Sequence, residues 1–268
     1  MGVTLQFRRL EPFGVEVLHD LSRSLGPSEA YHLGELFKHH GLILARGQTL
    51  SMARQREICG ILGPILIRES EGEARDNAGG GPSAPELGWH ADAAHTEAPF
   101  DAIALHALDV VDGASSTRFV SAESAWRDVP RDLAEALEGR DQHMISPHCT
   151  QLAGRTCDRD DPEAMKRALR PTVFTNPHNG RQCLWVSEMQ TAALSGMERE
   201  DSRALLHAAF DELYAPERVF EHRWHKGDLV IWDNIALQHA RGNVEGAGRR
   251  VLQRVIVGTE GVAPHVAG

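Results

Sequence analysis

A chain of 268 residues with 41% apolar side chains is long enough to bury a full core and suits one large domain better than several. Its formal charge of −10 argues against a general binder of nucleic acid or anionic membrane, so any basic side chain that matters must act locally within an acidic shell. Cys59, Cys149, Cys157 and Cys183 form no CxxC pair and no dense framework, which reads as free thiols in a reducing, cytoplasmic setting.

The segment from Met1 to Arg9 lacks the apolar core of a secretory signal, and Gln6 breaks the myristoylation pattern that Gly2 opens. No apolar run approaches the about 18 residues that a membrane span needs. Pro27 to His40 is expected as a helix, with Ser28 at its start and Leu33, Leu36 and Phe37 on one stripe. Gly41 ends it, and Leu42 to Ala45 reads as a short buried strand. A second helix is expected from Ser51 to Leu62, stopped by Gly63 and Pro64.

Residues 69–88 are charged, then rich in Gly, Pro and Ala. They neither follow a strand nor open a helix, which counts against a phosphate-cradling loop and leaves an active-site loop or a plain surface loop. Ala102 to Val111 alternates as a strand, and Ser121 to Gly139 holds one or two short helices, Pro130 opening the second. Leu184 to Val186, Asp228 to Trp232 and Arg250 to Val257 are further strand candidates. With no internal repeat and no dividing linker, residues 1–268 are expected to form a single domain.

His90 and Asp92, two apart, project to the same side of a strand, and His239 can close the set from a distant segment. Two imidazoles and one carboxylate, with positions left open, are what a mononuclear iron(II) site needs. The carboxylate also leaves no vacated position for a halide, which disfavours halogenation. Fifteen histidines make chance HxD and HxE pairs common, and His95-Thr96-Glu97 is a second formal match. His39, His40, His207 and His225 read as surface or helix-face residues. Spacing alone leaves both pairs open.

Trp89-His90-Ala91-Asp92, Thr117-Arg118-Phe119, the run from Asn176 to Arg181, the run from Gly227 to Asn234, His239, and Arg250 to Arg254 occur in one order. Together they resemble the taurine dioxygenase/2,4-D dioxygenase (TauD/TfdA) family of iron(II)- and 2-oxoglutarate-dependent dioxygenases, from about residue 5 to 258. The resemblance implies a mainly β fold with flanking α, built on a double-stranded β-helix (jelly-roll, cupin-like) core. It places the metal ligands on His90, Asp92 and His239, a 2-oxoglutarate contact on Thr117, and the grip on the distal carboxylate of 2-oxoglutarate on Arg250. Arg254 falls where the family's sulfonate and carboxylate users hold the substrate anion. The stretch from Trp185 to Gln190 matches a substrate-lining segment, which points to Ser187 and Gln190 and leaves Trp185 as pocket or core.

The last strand suits that division. Arg250, Leu252, Arg254 and Ile256 share one face, and Val251, Val255 and Val257 the other. The two arginines then stand about 13 Å apart along the strand, too far for one carboxylate and right for two anions, each open to bidentate pairing.

There are departures from the family pattern. Gly113-Ala114-Ser115-Ser116 replaces a glycine pair before Thr117, and Ile235 replaces a common arginine. Glu86 stands where taurine users carry a substrate-contacting asparagine; its charge would repel a sulfonate and face a substrate amine or hydroxyl, or solvent. The resemblance thus implies Fe(II), with 2-oxoglutarate and O2 as cosubstrates, acting on a small organic anion to give succinate and CO2. Hydroxylation is the default outcome, with bond cleavage and desaturation open, and assembly as a homo-oligomer is common in the family. Two rivals use the same ligands: a zinc hydrolase, which has no use for Thr117 and Arg250, and a non-catalytic 2-oxoglutarate or metal sensor.

Overall fold

The computed structural model describes residues 4–67, 74–76, 86–146, 154–159, 167–242, 244 and 246–260. The chain runs through β1 (Phe7–Arg9), β2 (Val15–Val17), α1 (Pro27–His40), β3 (Leu42–Ala45), α2 (Met52–Gly60), β4 (Ile65–Leu66), β5 (Ala74–Asp76) and β6 (Leu87–His90). Then come β7 (Ala102–Val110), β8 (Ser116–Ser121), α3 (Ala122–Asp128), α4 (Arg131–Leu137), β9 (Asp141–Ile145), β10 (Arg167–Pro171), β11 (Val173–Thr175) and β12 (Gln182–Leu184). It closes with β13 (Thr191–Leu194), α5 (Arg199–Leu213), β14 (Phe220–Arg223), β15 (Leu229–Asp233), β16 (Leu237–Arg241) and β17 (Arg250–Val257).

Helix α1 has the expected bounds, Pro27 to His40, with the cap one residue ahead of them. Gly26 caps it, and Glu29 accepts the Gly26 backbone N–H at 2.8 Å. Gly41 ends it in a left-handed conformation with φ 70°, open to glycine at little cost, and its N–H donates to Phe37 O at 2.8 Å. Ser51 caps α2 by accepting from Arg54 N at 3.1 Å, and the helix stops at Gly60 rather than Leu62. The span from Ser121 to Gly139 is two helices, with Ser121 capping α3 and Pro130 preceding α4.

Two facing sheets form a jelly-roll core. The major sheet has the order β1-β2-β3-β15-β7-β17-β4, with β5 also on β17; the minor sheet is β14-β8-β16-β6. Pairing is antiparallel except between β2 and β3. Side-chain alternation sorts the core into layers. Leu44, Ile103, Trp232, Leu252 and Ile256 of the major sheet meet Phe119 and Leu237 of the minor sheet between the two. Ile43, Ala104, Ile231, Val255 and Val257 face the other way, onto Leu33, Phe37 and Ile58 of α1 and α2. Val120 and Ala240 of the minor sheet turn outward to Leu133, Leu206 and Phe210 of the later helices. Strand β15 is buried along its whole length because both of its faces are covered.

Two expected strands move. The strand expected at Leu184 to Val186 is β12, which ends at Leu184, and that expected at Asp228 to Trp232 is β15, shifted one residue onward. Helix α5 was not expected; its buried stripe of Ser202, Leu206, Ala209, Phe210 and Leu213 carries the helical period that could have revealed it. Most of the loop expected at 69–88 lies outside the described residues; within it Ala74–Asp76 pairs with β17, and Leu87 to Gly88 begin β6. Cys59, Cys157 and Cys183 are unbridged and buried, and Cys149 is outside the described residues. Among the described residues no helix is long and apolar enough to cross a membrane.

Candidate metal centre

His90 closes β6 and lies directly opposite His239 of β16, so antiparallel register sets both imidazoles on the inner face of the minor sheet. Their ring centroids are 4.2 Å apart. His90 Nδ1 lies 2.8 Å from Gly88 O. A carbonyl only accepts, so Nδ1 carries the proton and Nε2 keeps its lone pair for a metal. Nε2 of His90 is 3.4 Å and Nε2 of His239 4.0 Å from Asp92 Oδ1.

Asp92 sits just beyond β6, and two amide side chains hold its backbone. Asn234 accepts from Asp92 N at 2.9 Å and donates to Asp92 O at 2.8 Å and Phe100 O at 3.0 Å. Gln190 does the same one residue earlier, accepting from Ala91 N at 3.1 Å and donating to Ala91 O at 2.8 Å, while Ser187 Oγ donates to Gln190 Oε1 at 3.0 Å. The next residue, Ala93, takes a left-handed φ of 58°, a costly conformation that such over-determined surroundings can sustain.

The electrostatics suit a cation. Burial pushes the Asp92 carboxyl up, but the Arg254 guanidinium that hydrogen-bonds Oδ2, helped by His90 and His239, holds it well below the usual carboxylate range. Burial, then His90 and Arg254, push His239 down to about 3 against the opposing pull of Asp92. The centre therefore offers a neutral imidazole and a carboxylate at neutral pH, the protonation states a metal binds.

The structure chooses between the two pairs that spacing left open. Among the described residues, two groups gather three metal-competent donors within 4.8 Å: His90, Asp92 and His239, and separately Cys157, Asp158 and His207. His95 and Glu97 join neither. Two imidazoles and a carboxylate fit iron(II) or a similar divalent ion.

The other expected residues fall in three places. Thr117 and Arg250 are buried, Thr117 accepting a hydrogen bond from Trp224 Nε1 at 3.0 Å. Burial, then Arg241, push Arg250 down to about 10. Glu86, half-exposed, accepts from Arg118 Nη2 at 3.2 Å, and that guanidinium lies over Trp89, 5.4 Å from its ring centroid. Arg118 points opposite to Thr117 and Phe119, so this ion pair lies on the outer face of the minor sheet. Ser187 and Gln190 are buried at the Ala91 backbone, and Trp185 is core, stacked on Phe174 with centroids 5.2 Å apart.

Sequence reasoning assigned no role to Asn234 or to the contacts of the run from Asn176 to Arg181. His178 Nδ1 meets Asp233 Oδ2 at 2.8 Å, and Asn176 donates to the same oxygen and to Glu123, each at 2.9 Å. Asp233 Oδ1 accepts from Ile235 N and Ala236 N at 2.8 and 2.9 Å. Burial opposes charge on His178, yet Asp101 and Asp233 raise it to about 9. The network pins the turn between β15 and β16, which carries Asn234 and leads to His239.

Comparison with known proteins places this architecture. Residues 6–256 match the model of the family described as taurine catabolism dioxygenase TauD, TfdA family. The alpha-ketoglutarate-dependent 2,4-dichlorophenoxyacetate dioxygenase of Cupriavidus pinatubonensis is 27% identical over 272 aligned residues, covering 90% of this chain and 92% of its own. A putative alpha-ketoglutarate-dependent taurine dioxygenase from Burkholderia xenovorans superposes with a TM-score of 0.80 at 18% identity, over 97% of this chain and 95% of that one. AAD-2, solved with Mn(II) and N-oxalylglycine, superposes with a TM-score of 0.79 at 21% identity, over 97% and 99%. The jelly roll, the His-Asp-His triad and a family match spanning nearly the whole chain lead to one conclusion: this protein belongs to the TauD/TfdA family and is a 2-oxoglutarate-dependent oxygenase.

Proposed function

We propose that the protein binds Fe(II) through His90, Asp92 and His239 and oxidises a small organic anion with 2-oxoglutarate and O2, releasing succinate and CO2. The observation that carries this reading is the row of inward side chains on β17. Arg254 reaches Asp92 at the metal centre, while Arg250, four residues away, is buried toward Arg241, whose cross-strand partner is Thr117. Bound together, iron and the 2-oxo acid supply an oxidant able to remove hydrogen from a C–H bond, the cofactor carrying the hard chemistry.

The chain's own residues bind, orient and exclude water. The proton on His90 Nδ1, held by Gly88, keeps Nε2 available as a ligand. Arg250 and the Thr117 hydroxyl receive the distal carboxylate of 2-oxoglutarate in a setting where burial strengthens each charge-assisted hydrogen bond. Arg254 keeps Asp92 ionised and presents positive charge beside the centre, where a substrate anion would be oriented. The side chains of Phe119 and Trp232, with centroids 6.4 and 5.0 Å from that of His239, line the inner core against water.

The substrate reading is a carboxylate or similar anion without an amine-recognising acid at the centre. Glu86 is engaged by Arg118, and the Cupriavidus relative is named for a carboxylate substrate. Ser187 and Gln190 support the ligand loop from behind, and we assign them to that task rather than to direct substrate contact.

The test needs no substrate. Metal-free protein receives Fe(II) and then 2-oxoglutarate without oxygen. A weak visible charge-transfer band that requires both additions, and disappears in His239→Ala, is the expected result. Tight metal binding with no band would overturn the proposal in favour of a hydrolase. A band without succinate formation across a broad panel of organic acids would favour a sensor.

A further inference from the structure

Arg241 belongs to none of the roles assigned so far, yet register places it beside them. On β16 it is two residues beyond His239, so the two side chains leave the same face of the minor sheet about 6.6 Å apart along the strand. Its cross-strand partner on β8 is Thr117, and this pairing is regular from Leu237 to Arg241. Thr117 and Arg241 therefore stand side by side on the inner face. Leu237, His239 and Phe119 follow the same alternation, Leu237 and Phe119 lying in the inter-sheet core.

The major sheet supplies the opposite wall. Along β17, Leu252 and Ile256 lie in the inter-sheet core, while Val255 and Val257 pack against the helices. Arg250 shares the inward parity of Leu252. The irregular step in its pairing with β7 advances one residue on β17, from Val251 to Leu252, against two on β7, from Asp109 to Ala107, so the parity of β17 is kept. The two guanidiniums thus approach from facing sheets, near enough for Arg241 to make Arg250 easier to deprotonate.

Arg241 stands beside the buried Thr117 hydroxyl and Arg250 on the facing wall, so a carboxylate received between the two guanidiniums is attracted by both. We propose that Arg241 is a second guanidinium arm for the distal carboxylate of the 2-oxo acid cosubstrate, acting with Arg250 and Thr117 and making the site selective for dicarboxylates. This rests on the 2-oxoglutarate reading above. Arg241 touches the cosubstrate far from the metal, so it sets cosubstrate affinity and choice rather than the oxidation itself.

A pair of ligands that differ only at the far end provides the test. Anaerobic Fe(II) protein is titrated with 2-oxoglutarate and with 2-oxobutyrate, which keeps the chelating end and lacks the distal carboxylate, and the charge-transfer band is followed. In Arg241→Ala the dissociation constant for 2-oxoglutarate is expected to rise about tenfold or more, the scale of one lost charge-assisted hydrogen bond, with that for 2-oxobutyrate unchanged. Arg241→Lys keeps the charge without the fork and should fall between. The 2-oxobutyrate titration serves as the folding control, and Arg241→Gln replaces any variant that fails it. If neither constant shifts, or if both shift equally in Arg241→Ala and Arg241→Gln alike, the arm does not exist. If the wild-type protein gives no band with either acid, or binds both alike, the underlying 2-oxoglutarate reading fails instead.

Discussion

His90, Asp92 and His239 bring three donor atoms within 4.8 Å of one another, and so do Cys157, Asp158 and His207 outside the minor sheet. Closeness is where the likeness ends. In the first group the side chains of His90, Asp92 and His239 are 4%, 25% and 11% exposed; in the second, Asp158 and His207 are 42% and 38% exposed and meet directly at 2.8 Å. The backbone of the first group is clamped by Asn234 and Gln190, and its carboxylate is kept ionised by Arg254. In the second, the Cys157 side chain packs within the apolar cluster of α5, and burial pushes its thiol up to about 12. A thiol must lose its proton to bind a metal, and that setting opposes the loss. Proximity of donors is therefore a poor criterion for a metal site; protonation state and a rigid outer shell separate the two.

The largest expected effect follows from replacing ligands. His90→Ala or His239→Ala should abolish Fe(II)-dependent succinate formation and the anaerobic band, whereas His207→Ala should leave both unchanged. Equal losses from His239→Ala and His207→Ala would erase the distinction. Titration with Co(II) sharpens it further. A sulfur-to-cobalt charge-transfer band that vanishes in Cys157→Ser would make the second cluster a metal site after all.

Next in size is the outer shell. Asn234→Ala removes three hydrogen bonds from the Asp92 and Phe100 backbone without touching a ligand atom. Metal affinity should fall about 10- to 100-fold, the usual cost of losing an orienting partner. Gln190→Ala should act in the same direction through Ala91. Calorimetric metal titration beside a thermal melt separates a loosened site from a lost fold, and an unchanged metal affinity in Asn234→Ala would remove the clamp from the account.

The difference between legible and illegible parts of this molecule follows the range of the interactions. Helix α1, strands β3, β7 and β17 and the caps at Gly41 and Ser51 rest on neighbours in sequence, and they stand near where local pattern puts them. The choice of His90 and Asp92 over His95 and Glu97 could not be local. It depends on His239 arriving opposite His90 through the register of β16. Asn234 and Gln190 are likewise invisible to periodicity, because amide side chains reaching a backbone 142 and 99 residues away leave no pattern in the chain. Helix α5 lies outside the expected elements although its apolar stripe is present in the local pattern.

An effect on stability rather than on metal affinity comes through pH, because the outer shell of the first cluster contains a titrating group. His178 rises to about 9 in the folded protein, where Asp101 and Asp233 outweigh burial, against an ordinary value near 6.5 when unfolded. A raised folded value means the protonated form is favoured by folding. That stability is fully present below about pH 6.5 and is lost as pH climbs through about 9. The loss should be on the order of 3 kcal/mol, read as a falling melting temperature between those limits in the wild type and a flatter profile in His178→Asn. Parallel profiles for the two proteins would remove His178 from the network that holds the Asn234 turn.

The smallest expected effect concerns Glu86 and tests how far the centre extends. Its partner Arg118 points away from Thr117 and Phe119, and the Glu86 side chain is 51% exposed, so solvent screens the pair. Glu86→Gln should shift stability by no more than about 1 kcal/mol. It should also leave the Fe(II) and 2-oxoglutarate constants where they were, because the carboxylate faces the outer side of the sheet whose inner side holds the metal. A several-fold change in the KM of any accepted substrate, with the cosubstrate constants intact, would mean that the substrate reaches around the edge of β6 to that ion pair. The anion pocket would then be an acid-bearing one, and amine-containing substrates would return to consideration.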